Sequence, residues 1–312
     1  MLIDMLHSPL MQRALIVAFL VGLSAPVVGT YLVQRRLTLL GDGIGHVALT
    51  GVACGWLAAS AADASSRDAW AIPGAILASV CGALLIEWMR ARGHASGDVA
   101  LAILFYGGIA GGVLLIGMAG GTTANLNAYL FGSISTVTQS DTYVTIVLAV
   151  IILLIGIGLR PVLFTLCHDE EYARSCGIPT QLLSVLISVT AALTVSLALR
   201  IVGALLVSAL MIIPVAIAQT VTHSFKSTMH IAMVVGVIVA ESGLVITYIK
   251  PWSPGATIVV LAVIIYALAT LSRPLWLRHG SGAHIHHHPH PHITPDVTVQ
   301  PSDNSPVSPE VR

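Results

Sequence analysis

Apolar runs separated by short polar breaks repeat along the chain from about residue 11 to residue 276. They fall near 11–33, 42–61, 71–89, 100–119, 141–159, 180–199, 202–222, 229–249 and 256–276. Each approaches the roughly 20 residues that a helix needs to cross a bilayer. Inside lipid every backbone polar group needs a partner within its own segment, a condition a helix meets unaided. The pattern therefore predicts an all-α fold, a polytopic transmembrane helical bundle. The stretch NLNAYLFGSIS, between the fourth and fifth runs, reads as a short interfacial or re-entrant helix, so the expected count is eight to ten helices.

Composition agrees with the pattern. Hydrophobic residues make up 56% of the 312 and charged residues 9%, against roughly 25% charged in soluble domains. The formal net charge is zero and no basic stripe is present, which gives no support to nucleic-acid binding. Cys54, Cys81, Cys167 and Cys176 show no CxxC spacing and imply no disulfide framework. The opening MLIDMLHSPLMQRALIVAFL lacks a basic head and a cleavage site, so the first span is expected to be retained.

Basic residues orient the bundle. With the N-terminus outside, the inner connections hold Arg35, Arg36, Arg90, Arg92, Arg160, Arg174, Lys226, Arg273, Arg278 and Arg312, and the outer ones only Arg13, Arg67, Arg200 and Lys250. That bias places the N-terminus outside and the C-terminus in the cytoplasm. Residues 1–278 form the membrane domain on this reading. Residues 160–179 form a cytoplasmic segment within it, RPVLFTLCHDEEYARSCGIP, read as a short charged helix that a soluble partner could grip, or else as a solvated acidic loop. Residues 279–312, rich in His, Pro and Ser, read as a disordered cytoplasmic tail. In that tail His284, His286, His287, His288, His290 and His292, with His279 just before, are dense enough to bind a transition metal loosely.

Few ionisable groups fall inside the apolar runs rather than at their ends: Asp42, His46 and Glu241. A charge in the bilayer centre is costly, about 2.5–3.5 kcal/mol on insertion scales, and such groups mark ion paths or relays. Asp42 and His46, four apart, share a helix face. With Glu241 from another helix they offer an O,N,O donor set, which suits Zn²⁺ or Mn²⁺ better than Ca²⁺ or Mg²⁺. The alternative is structural, with Asp42 capping its helix and His46 bonded to a backbone carbonyl. Lys226 follows Phe225 rather than a glycine-rich loop, so no phosphate-binding loop is present, and neither HExxH nor G-x-S-x-G occurs. The chain itself is not expected to be an enzyme.

Taken together these segments resemble the membrane-spanning permease subunits of bacterial zinc/manganese ABC importers, the ZnuB-like group, over roughly residues 10–277. GDGIGHVALTGV resembles that family's G-D-A-[LI]-S-H-x-x-L-P-G-[VI], keeping Gly41, Asp42, His46, Leu49 and Gly51. A D-P-E-x-A-x-x-x-G pattern is kept as Asp169, Glu171, Ala173 and Gly177. VGALLVSALMIIPVAIA, LFGSI and GLVITYIKPWSPGATIVV resemble three further signatures. Three positions depart from the pattern: Gly45 for Ser, Thr50 for Pro, and Glu170 for Pro.

The resemblance implies a bundle like that of the vitamin-B12-type importers, with two permease copies sharing a central path. It implies a cytoplasmic ATP-binding subunit that docks on residues 167–177 and an extracellular solute-binding protein. Asp42, His46 and Glu241 would line the path, with Zn²⁺ (or Mn²⁺) as transported substrate and no resident cofactor. Donor softness favours zinc over manganese. Two other classes remain open at this point. One is a secondary metal transporter or channel independent of ATP, and the other a non-transporting membrane protein whose tail buffers or senses metal.

Overall fold

In the computed structural model, which describes residues 7–63, 68–92, 97–134, 137–222 and 224–279, the chain is helical with no strand among the described residues. The helices are α1 (Pro9–Gln34), α2 (Leu40–Ala61), α3 (Ala71–Ala91), α4 (Gly97–Met118), α5 (Thr123–Phe131), α6 (Gln139–Gly158), α7 (Arg160–His168), α8 (Glu170–Ser175), α9 (Thr180–Ala198), α10 (Val207–Val221), α11 (Phe225–Ile249) and α12 (Pro254–His279). Eight of them are long and apolar enough to cross a membrane, and α10 is a shorter apolar helix.

Local sequence accounts for the helix ends. Pro9 sits at the first position of α1, where its missing N–H costs nothing. Thr138 and Asp141 cap α6 reciprocally, each side chain taking the other's backbone N–H. The core is made of close crossings. Gly22 of α1 lies against Gly236 of α11, where an added Cβ would stand 2.8 Å from the Gly236 carbonyl oxygen. Gly29 of α1 lies against the Met211 carbonyl of α10. Such backbone approach is how helices associate where apolar burial gives no preference over lipid.

Two expectations need correction. The run 202–222 does not begin as a helix, because residues 199–206 turn and bond to the end of α5. Ala204 N–H donates to the Tyr129 carbonyl (2.9 Å), Leu205 N–H to Leu130 (3.2 Å), and Ser133 N–H to Arg200 (3.0 Å). Gly203, at φ +88°, makes the turn possible, with its Cα too close to the Leu130 carbonyl (2.3 Å from an added Cβ) for any side chain. Hydropathy puts the break at residues 200–201 and does not show that it extends to residue 206. Arg200, read as an outer-loop charge, is buried in this turn, its Nε 3.4 Å from Asp141 Oδ2 and its guanidinium donating to the Asp68 carbonyl at 3.0 Å.

The second correction concerns 160–179, which holds two short helices rather than one. Asp169 separates them, its carboxylate accepting the Tyr172 N–H (2.9 Å) as the N-cap of α8. Gly177, at φ +76°, closes α8: its N–H reaches the Arg174 carbonyl and that of Ile178 reaches Ala173. The expected stretch NLNAYLFGSIS does contain a short helix, α5, started by Thr122. His284, His286, His287, His288, His290 and His292 lie outside the described residues.

Candidate functional site

The polar face of α2 is assembled by its neighbours. The helix starts without a side-chain cap, and Asp42 stands in its first turn, where the exposed N–H groups and the helix dipole favour a carboxylate. The structural alternative for Asp42, a capping role, is not what is found. Its Oδ1 accepts instead from the hydroxyl of Ser208, near the start of α10. The close approach that allows this runs through two glycines. A Cβ on Gly41 would lie 3.1 Å from that of Ser208, and one on Gly45 would lie 2.8 Å from the Ala204 carbonyl oxygen.

His46, one turn further on, is 2% exposed, and its Nδ1 has no hydrogen-bond partner. The ring stands edge-on to Phe105 of α4 at 4.6 Å. A buried ring nitrogen left unpaired costs about 1–3 kcal/mol, so the backbone-carbonyl bond of the structural alternative is not made at this atom. Thr50 then fastens α2 to α4, its hydroxyl donating to the Gly108 carbonyl at 2.8 Å. Two of the departures from the family pattern thus have local roles. Gly45 lets α2 close on the residue-204 turn, and Thr50 supplies a donor that proline lacks.

Glu241 lies elsewhere. It is half-buried on α11, which packs on α1 and α10. Among the described residues no three His, Cys, Asp or Glu side chains stand close enough to hold one ion. Within one chain, then, the Asp42–His46 pair and Glu241 are separate positions rather than one ready-made ligand set.

The second candidate region is the end of the bundle that carries α8. Glu171 and Gly177 are exposed, Ala173 is fully buried, and Asp169 caps the helix. Tyr172, 60% exposed, adds an aromatic face. A cavity of about 390 Å³ beside α8 is lined by Arg35, Glu87, Arg90, Glu170, Arg174 and Ser184, among others. Its charges are paired. Arg35 reaches Glu170 at 3.2 Å and donates to Ser184 Oγ at 2.9 Å, while Arg174 lies 3.6 Å from the other oxygen of Glu170. Glu87 accepts from Ser188 (2.6 Å) and Arg90 (3.3 Å). Glu170, the third departure, is the member that ties α8 to α1. Ser208 and Arg35 were not legible as site residues: a serine in an apolar run, or an arginine at its end, carries no signal of its own.

The profile of the ABC 3 transport family matches residues 7–273. The chain belongs to that family. Among its relatives, the manganese transport system membrane protein MntC of Halalkalibacterium halodurans is 32% identical over 272 residues, covering 87% of this chain and 90% of that one. A probable iron transport system membrane protein of Haemophilus influenzae is 27% identical over 271 residues, covering 86% and 95%. The structure of PsaBC from Streptococcus pneumoniae in complex with a Fab superposes with a TM-score of 0.76 at 29% identity, covering 88% of this chain and 98% of that one. As an ABC 3 family member the chain is a multi-pass transport permease, and the fold described above is the family's.

Proposed function

We propose that this chain is the permease of an ATP-driven importer of a divalent transition metal, manganese first and zinc second. The observation that carries the reading is the family match across residues 7–273, whose similar members are named for manganese and iron transport. The donor chemistry supports the order. Asp42, Glu241 and the Ser208 hydroxyl beside Asp42 make the polar positions rich in oxygen, which suits Mn²⁺. The zinc reading drawn from donor softness keeps one specific support, the unpaired Nδ1 of buried His46.

On this reading two permease copies surround a shared path lined by Asp42, His46 and Glu241 of each. Coordination there is incomplete and passing, because a closed ligand shell would hold the ion too tightly to release it. Carboxylates replace part of the hydration the dication sheds on entry. A separate cytoplasmic subunit hydrolyses ATP and docks on α8, and an external solute-binding protein delivers the metal to the opposite end. The basic side chains gathered near α8, Arg35, Arg90 and Arg174, support placing that end in the cytoplasm.

The test is uptake by proteoliposomes holding the permease with its ATP-binding subunit and solute-binding protein. Mn²⁺, Zn²⁺ and Fe²⁺ are compared with and without ATP, for wild type, Asp42→Asn and Glu241→Gln. ATP-dependent Mn²⁺ uptake lost in both variants supports the reading. Uptake independent of ATP overturns it in favour of a secondary transporter.

A further inference from the structure

We infer that Arg35 and Glu170 form the positioning link through which movement of α8 reaches the helices that carry Asp42 and Glu241. The inference rests on the importer reading above and adds to it a pair of residues that the family pattern does not contain.

Arg35 continues the line of α1, its backbone N–H bonded to the Tyr31 carbonyl at 3.0 Å. Its side chain is 8% exposed and carries a permanent charge. One guanidinium nitrogen donates to Ser184 Oγ of α9 and the other to Glu170 Oε2 of α8. Exposed ion pairs contribute little, but a buried guanidinium that loses its carboxylate is left uncompensated. Wherever α8 goes, the end of α1 is therefore held to it.

From there the connection runs through backbone rather than bendable side chains. An added Cβ on Gly29 would lie 1.8 Å from the Met211 carbonyl oxygen of α10, and one on Gly22 would lie 2.8 Å from the Gly236 carbonyl oxygen of α11. A shift of α1 must carry α10 and α11 with it, since close-packed elements move as units. α10 holds Ser208 against Asp42, and α11 carries Glu241. The proline usual at position 170 has no carboxylate for this bond, so the link belongs to this chain's own sequence.

A static brace would also use this geometry, and coupling efficiency separates the two. The complex with its ATP-binding and solute-binding partners is reconstituted in proteoliposomes and supplied with Mn²⁺. Three quantities are measured: co-purification of the ATP-binding subunit, ATP hydrolysis, and metal moved per ATP. Arg35→Gln, at the end of α1 and outside the docking segment, is expected to keep the first two and to lower the third about fivefold, the lower end of typical coupling between sites. The charge exchange R35E/E170R is expected to recover at least half the loss. A wild-type ratio in R35Q overturns the link, as does joint loss of subunit binding and hydrolysis in that variant, which would make Arg35 part of the docking surface. Should the exchanged pair not fold, E170Q, R35Q and the double variant close a cycle. Equal losses in all three support the link and additive losses overturn it. If the wild type itself shows no ATP-dependent uptake, the importer reading fails, and that result is distinct from a coupled R35Q.

Discussion

The hydroxyl of Ser208 donates to the carboxylate of Asp42, joining the start of α10 to the first turn of α2. Hydrogen bonds to charged groups contribute about 1.5–3 kcal/mol, and this one fixes which way a half-buried carboxylate faces. Ser208→Ala removes the donor and leaves a methyl group that fits the same space. We expect the KM for metal uptake to rise about tenfold, the scale of losing an outer partner of a ligand, with the maximal rate nearly kept. An unchanged KM in the proteoliposome assay would show that Asp42 is oriented by other means.

Gly45 gives a sharper steric prediction. In the family pattern that position is serine, yet here an added Cβ would stand 2.8 Å from the Ala204 carbonyl oxygen. Gly45→Ser should therefore harm this chain although it moves the sequence toward its family. Overpacking typically costs about 1–3 kcal/mol. Thermal unfolding in detergent should show a lower midpoint than wild type, while Gly117→Ala, at a position with open space, should not. Equal midpoints would mean that the residue-204 turn yields easily.

These two cases show where sequence reasoning stopped. The spans were legible because hydrocarbon demands about twenty apolar residues of a helix. Asp42, His46 and Glu241 stood out because ionisable groups are rare in such runs. The length of the turn at 199–206 was hidden: beyond the break read at 200–201 its residues are apolar, and its backbone is satisfied by α5, a contact no local pattern announces. For the same reason hydropathy gave α10 a full span. Arg200 was read as a loop charge, the wrong environment, since charge counting does not register a partner such as Asp141, 59 residues away in sequence. The separation of Glu241 from the Asp42–His46 pair is likewise a tertiary fact. Asp169, Ala173 and Gly177 were legible as a motif, and the structure gives each a plain task in starting, seating or ending α8.

Arg200 supports a prediction about the opposite end of the bundle. It is 5% exposed and connects α6, through Asp141, with the carbonyl of Asp68 ahead of α3. Removing one partner of a buried ion pair costs about 3–5 kcal/mol because the other charge is stranded. Arg200→Leu should sharply reduce the yield of folded protein, judged by size-exclusion in detergent. Pairing it with Asp141→Asn, which removes the charge and keeps an acceptor for the Thr138 N–H, should recover much of the loss. A double variant no better than the single one would mean that the bond to Asp68 matters more than the ion pair.

Cys167, in α7 beside α8, provides a pH test of packing in the region assigned to ATPase docking. Burial penalises the thiolate and pushes the thiol up to about 11, with the Arg35 guanidinium opposing the shift. Only the thiolate reacts with alkylating reagents. In a variant keeping Cys167 as its single cysteine, iodoacetamide labelling should climb about tenfold per pH unit from pH 8 and level off near 11. At pH 8 it should run on the order of 1,000-fold below that limit. The sign for stability follows from the same shift. An unfolded thiol ionises near 8.5, so the fold, which prefers the neutral form, keeps this contribution below that pH and loses it as pH rises toward 11. Labelling that levels off near pH 8.5 would place Cys167 in open water, and would mean that α7 does not pack against α1.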